Sequence, residues 1–96
     1  MVEAEFEWDA AKAESNLVKH GVSFAAARGV FDDAFALDRL DFDSAPDEVR
    51  CVITGTVKGF ILTVAYTEHG ERIRIISARK ATKHEQEEYY RSQTAE

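Results

Sequence analysis

Residues 50–78 read RCVITGTVKGFILTVAYTEHGERIRIISA. Three runs rich in β-branched and aromatic side chains, 50–57, 60–68 and 72–78, are separated only by Lys58-Gly59 and by His69-Gly70-Glu71. Such runs read as strands. Joins this short leave room for hairpins and little else, so the stretch predicts an antiparallel meander. In the third run Ile73 and Ile75 alternate with Arg72 and Arg74. A strand sends alternate side chains to opposite faces, so the isoleucines are expected in a core and the arginines outside it.

On either side of the meander the period changes to that of a helix. In FEWDAAKAESNLVKHG, residues 6–21, a short strand-like piece precedes Asp9, which can cap a helix running to about His20, with Gly21 placed to stop it. Ala10, Ala13 and Leu17 share one face of that helix; Lys12, Asn16 and Lys19 share another. Trp8 is expected to close the helix entry by packing. VSFAAARGVFDD, 22–33, predicts a second helix capped by Ser23, with Phe24, Ala27 and Phe31 as its apolar stripe. AFALDRL, 34–40, reads as a strand, and DFDSAPDE, 41–48, as an acidic loop around the single proline, Pro46. Thr82 and Glu85 form a capping box, so a last helix should begin there. The order predicts an α+β fold: two N-terminal helices packed on an antiparallel sheet, with a C-terminal helix. Leu17, Phe24, Phe31, Ile53, Leu62, Val64, Ile73 and Ile75 are expected to supply much of the core.

Ninety-six residues, 45% of them hydrophobic, suit a single domain, 1–96. No apolar run approaches the roughly 20 residues that span a bilayer. The acidic start, MVEAEFEWD, lacks the basic and apolar regions of a signal peptide. A cytoplasmic protein without membrane contact is expected. Cys51 is the only cysteine, so no internal disulfide can form, and its neighbours Val52 and Ile53 suggest a packed thiol. His20, His69 and His84 lie far apart and show no ligand spacing; neither a metal site nor a cofactor motif is expected. His20, just before a helix-ending glycine, suits the helix dipole, and a general acid/base role is the sharper alternative.

The chain holds 18 acids against 12 bases, a formal charge of -6, yet RIRIISARKATKHE, 72–85, contains Arg72, Arg74, Arg79, Lys80 and Lys83 before its first acid. Seven acids fall in 32–48 and four in 3–9. A domain of this size has a radius of gyration of about 13 Å, and charges are screened over about 8 Å at physiological salt. Distant acids therefore leave the basic stretch its local field, provided the acidic loop folds away from it. It reads either as a solvated face or as a phosphate-binding patch.

The two ends of the chain together resemble the BrnT family of type II toxins. FEWDAAKAESNLVKHGVSF, 6–24, is similar to that family's N-terminal signature, fitted here by Trp8, Asp9, Lys12, Asn16, Lys19, His20, Gly21 and Val22. VFDD, 30–33, fits the next block, and RIRIISARKAT with Glu85 and Tyr89 fits the C-terminal one. Two departures are plain. Ala10 and Ala34 stand where relatives often carry proline, and Glu87 and Glu88 occupy a last helix that is often arginine-rich. The resemblance implies a RelE-like fold and a ribonuclease activity that arrests translation. It also implies neutralisation by a BrnA-like ribbon-helix-helix antitoxin in a hetero-oligomer, with DNA reached only through that partner.

RNA can be cut without a metal when a 2′-OH attacks the adjacent phosphate. Such a site needs a proton acceptor, a proton donor and positive hydrogen-bond donors on the phosphate. Arginine suits the last task because its planar fork carries paired, permanent donors. Arg74 and Arg79 are the candidates there, within an RNA-binding set of Arg72, Arg74, Arg79, Lys80 and Lys83. Lys19, His20 and Tyr89 are the proton-transfer candidates, although Tyr89 also reads as an anchor for the last helix. Glu68, another possible acceptor, is expected to pair with Arg72. As an exposed base, Arg79 is expected to add little stability. A competing reading is a weakly catalytic binding module that holds a DNA-binding partner.

Overall fold

The computed structural model describes residues 5–41 and 49–94. Its elements are β1 (Glu5–Glu7), α1 (Ala10–His20), α2 (Phe24–Ala27), a 3-10 helix (Arg28–Asp32), β2 (Leu37–Asp41), β3 (Arg50–Val57), β4 (Phe60–His69), β5 (Arg72–Lys80) and α3 (Lys83–Thr94). The strands form one sheet in the order β1-β5-β4-β3-β2. The β2–β3, β3–β4 and β4–β5 pairs are antiparallel, as the meander predicts. The edge pair departs from the expected antiparallel sheet: β1 lies parallel to β5, with Glu5 beside Arg72 and Glu7 beside Arg74. The crossover between them includes α1 and α2, long enough to return the chain in the same direction. The architecture is α+β, mostly antiparallel, and consistent with a RelE-like fold.

Local signals place the helices. The Asp9 carboxylate accepts from the Ala11 and Lys12 amides, and Gly21 ends α1 in the left-handed region at φ 70°. Ser23 caps α2 through the Ala26 amide. The expected second helix is shorter than its apolar stripe, because after Ala27 the chain tightens into the 3-10 turn. That turn presses on β3 at Gly55, where an added Cβ would meet Val30 Cγ1 at 3.0 Å and Asp33 Oδ2 at 3.1 Å. The last helix starts where the capping box predicts. Thr82 N–H donates to Glu85 Oε1 at 2.9 Å, and Glu85 N–H donates to Thr82 Oγ1 at 3.2 Å.

The core fills the space between one sheet face and the N-terminal helices. Phe24, Ala27 and Val30 pack against Ile53, Leu62, Val64, Tyr66, Ile75 and Ala78. Ile73 and Phe31 are partly buried beside them, Phe31 making edge contacts with Phe6 and Tyr66. Trp8 meets Phe24 edge-on at 5.9 Å, closing the entry to α1. Cys51 is half-buried against the same core.

One expected core residue is misplaced: Leu17 is 49% exposed. The inward face of α1 carries Asn16 instead, which is 7% exposed. The cause lies in β5. β1 pairs only with 72–74, so the backbone of β5 beyond them has no strand partner on that side. α1 covers that edge. The Asn16 side chain accepts from Ala78 N–H at 3.1 Å and donates to Ala78 C=O at 2.7 Å and Val22 C=O at 2.9 Å. Only a side chain with both a donor and an acceptor can substitute for a strand in this way.

Candidate functional site

Strict alternation along β5 would put Arg74 and Arg79 on opposite faces, since they are five positions apart. The strand does not alternate strictly. Ala65 pairs with Ser77 and Tyr66 with Ile75, which leaves Ile76 as an extra residue at a β-bulge. The bulge resets the phase. Before it, Ile73 and Ile75 face the helices; after it, Ala78 does. Arg72, Arg74 and Arg79 consequently share the opposite face. The register adds Arg39 of β2 and Arg50 of β3 to that face. Among the described residues only α3 covers it, over the rows around Thr54, Thr56 and Thr63.

The arginines fall into two groups, each organised by an acid. In the first, Glu7 on β1 accepts from Arg74 Nε at 2.7 Å and lies 3.5 Å from Arg72 Nη1, while Glu5 accepts from Arg72 Nε at 3.2 Å. His69 Nδ1 stands 3.3 Å from Glu7 Oε2. The Arg74 bond, helped by His69 and Arg72, holds the Glu7 carboxyl below its ordinary range despite some burial. Arg72 therefore pairs with β1 rather than with Glu68, against expectation. The parallel strand brings Glu5 and Glu7 alongside, while Glu68 points to the helical face opposite Ile73.

In the second group, Glu85 of α3 grips Arg79. Nη1 donates to Oε1 at 2.7 Å and Nη2 to Oε2 at 3.0 Å. Thr63 Oγ1 and Thr82 N–H also donate to Oε1, at 3.0 and 2.9 Å, and Arg39 Nη2 lies 3.6 Å from Oε2. These contacts, Arg79 first, pull the Glu85 carboxyl down to about 2 although burial opposes them. The same pair pushes the Arg79 guanidinium up. Glu85 occupies the Nη1/Nη2 end of the guanidinium. Among the described residues no group takes the other edge, formed by Nε–H and the second Nη2–H. That edge is a free two-donor fork.

The remaining sequence candidates separate. Tyr89 is 3% exposed; its hydroxyl donates to Asp33 Oδ2 and accepts from Thr56 Oγ1 at 2.8 Å. Burial, then Asp33, raises its pKa. Asp33 also accepts from Thr56 N–H at 2.8 Å, an amide beyond the reach of β2, and from Phe35 N–H at 2.9 Å. Burial raises the Asp33 carboxyl, but Tyr89 and the two amides outweigh it and lower its pKa. Tyr89 thus anchors α3. Lys80 turns to the helical face, its Nζ 5.4 Å from the Phe60 ring. Lys83 is exposed on the first turn of α3. Lys19 is exposed and His20 half-buried on the last turn of α1, one turn beyond the Asn16–Ala78 clamp. Most of the acidic loop, 42–48, lies outside the described residues. Arg39, His69, Glu7 and the organising role of Glu85 were missed from sequence. The surplus residue in IRIISAR, two inward isoleucines followed by a third apolar residue out of phase, is the signal that could have revealed the bulge.

Among the described residues no group of three or more His, Cys, Asp or Glu side chains could hold a metal ion. No helix among them is long and apolar enough to cross a membrane. Residues 8–85 match the family model described as ribonuclease toxin, BrnT, of type II toxin-antitoxin system. No curated protein matches the chain.

Proposed function

The chain belongs to the BrnT family of ribonuclease toxins of type II toxin-antitoxin systems, and from that premise we propose that it cuts RNA on its open sheet face by metal-independent 2′-OH attack. The observation that carries this reading is the β5 bulge, which gathers Arg74 and Arg79 with Arg39 on one face. The 2′-oxygen forms a bond to phosphorus as the bond to the 5′-oxygen breaks, leaving a 2′,3′-cyclic phosphate and a 5′-hydroxyl. One proton leaves the 2′-OH and one reaches the 5′-oxygen. Negative charge grows on the non-bridging phosphate oxygens between these events, and preorganised donors aimed there lower the barrier.

Arg79 supplies such donors through its free Nε/Nη2 edge, because Glu85 holds the opposite end and fixes the plane of the fork. Arg39 stands beside the pair and leaves this group one positive charge in excess. Arg74 and Arg72 are balanced by Glu7 and Glu5, so their role is to extend the phosphate track. Lys83 adds charge from α3; Lys80, directed to the other face, is left out. Proton transfer at a phosphate held by Arg79 falls to Lys19 and His20 of α1. His69 shares the open face and is oriented by Glu7 through Nδ1. It pairs with Arg72, however, six residues along β4 from Thr63, the neighbour of Arg79. At about 3.3 Å per residue it can serve only a phosphate on the Arg72–Arg74 part of the track. The partner is a BrnA-like ribbon-helix-helix antitoxin.

The test is cleavage of a synthetic RNA by the purified chain in excess EDTA, with product ends identified and His20→Gln and His69→Gln compared. Cyclic phosphate ends support the reading, and the histidine variant with the deeper loss identifies the proton-transfer group. Cleavage that requires an added divalent ion, or that yields 5′-phosphate ends, overturns it.

A further inference from the structure

We propose that the antitoxin docks in the apolar trough between α1 and the β3–β4 hairpin, on the face opposite the arginines, through an apolar segment edged with carboxylates. The inference rests on the partner reading above. The trough holds about 380 Å³ and is walled by Leu17, Val57, Phe60 and Leu62. Leu17 is 49% exposed and Phe60 58% exposed, so two large apolar side chains face water from opposite walls. Gly21 forms part of the lining, and a Cβ built on it meets nothing within 4 Å, so another chain can approach the backbone there. Large apolar side chains facing water around one concave site suit an apolar partner segment.

Charge selects the occupant. Among the described residues the lining includes Lys58 and Lys80 and no acid, in a chain whose net charge is -6. Lys58 sits in the left-handed region at φ 49°, at a turn position where glycine or asparagine is favoured. A lysine kept in such a conformation is a local inconsistency of the kind found at functional positions. The apolar walls offer an RNA backbone nothing beyond these two cations. A second copy of this chain, docked about a two-fold axis, would set the same lysines near each other without a carboxylate to separate them. A protein segment with two or three apolar side chains and flanking acids satisfies both the walls and the rim. Leu17 and Gly21 of the lining flank Lys19 and His20 at the end of α1, so a partner held here also crowds the proton-transfer candidates while leaving the arginine face open.

Calorimetric titration with a purified BrnA-like ribbon-helix-helix antitoxin tests the assignment. Leu17→Glu and Phe60→Glu, both at exposed positions, should each weaken binding roughly thirtyfold or more, as loss of an interface anchor does. Phe60→Glu, on the wall opposite α1, should cleave RNA at the parent rate in the absence of the partner. Lys80→Glu should also weaken binding. Parent-like affinity of both apolar variants overturns the inference while leaving the partner reading intact. So does a change confined to self-association of the toxin. A parent chain that fails to bind this protein at all overturns the partner reading and the docking site with it.

Discussion

Arg79 and Glu85 form one unit at the residue scale, and this changes what Arg79→Ala must do. From sequence the side chain read as an exposed base of little consequence for stability. It is instead half of a bidentate pair with a carboxylate whose side chain is 11% exposed. Removing the guanidinium leaves Glu85 with Thr63, Thr82 and a more distant Arg39. Loss of a buried partner costs about 3–5 kcal/mol when nothing compensates; these remaining donors should reduce that to about 1–3 kcal/mol. Urea unfolding of Arg79→Ala is the check. RNA cleavage, measured where both proteins are folded, should fall on the order of a hundredfold or more. Full cleavage would refute the assignment. Glu85 also predicts a pH dependence. Its carboxyl is about 2 when folded against an ordinary 4.5. A lowered folded value stabilises above the unfolded one, so this contribution is complete above pH 4.5 and is lost as pH falls towards 2. It is worth on the order of 3 kcal/mol. Glu85→Gln should flatten unfolding free energy across that window; an unchanged slope would show that the pair is not formed in solution.

At the scale of elements, β5 decides the molecule. Its first residues pair with β1, its middle bulges, and its last residues lean on Asn16. Asn16→Leu keeps the branching of the side chain, though with added bulk, and leaves the amide and carbonyl of Ala78 and the carbonyl of Val22 without partners. Each buried unsatisfied group costs about 1–3 kcal/mol, and partial wetting of the edge should hold the total near 3 kcal/mol. Amide hydrogen exchange gives a local reading: the Ala78 N–H should lose protection before its neighbours paired to β4. Equal protection in the variant would mean that Asn16 does not complete the strand. The clamp also carries α1, so loosening it should disturb Lys19 and His20 more than Arg74.

For the whole molecule, the arrangement is two-faced. Arginines populate the open sheet face, while the helical face carries the core and the apolar trough beside α1. Acids do not annul the first face, because Glu5, Glu7 and Glu85 are bound to specific arginines and one positive charge remains around Glu85. If RNA binding neutralises about three phosphates of a single strand, log affinity should fall with log salt at a slope of about -2. Arg39→Ala and Arg79→Ala should each make the slope shallower. Affinity independent of salt would return the arginines to the role of a solvated face.

By itself the sequence determined the elements and their order. Asp9, Gly21, Ser23 and the Thr82–Glu85 box mark helix ends through contacts within three or four residues, and the apolar runs of 50–78 with their short turns specify hairpins. These are local interactions, and local interactions are written in consecutive residues. Only the tertiary structure decided that Asn16 faces inward while Leu17 does not, because the demand comes from Ala78, 62 residues away. It alone placed β1 parallel to β5, directing Glu7 rather than Glu68 to the arginines. And it alone brought Arg39, Arg74 and Arg79 to one face, since a single unpaired Ile76 shifts the phase of every side chain after it. A strand's period is legible in sequence; the register against its neighbour depends on packing across the whole sheet.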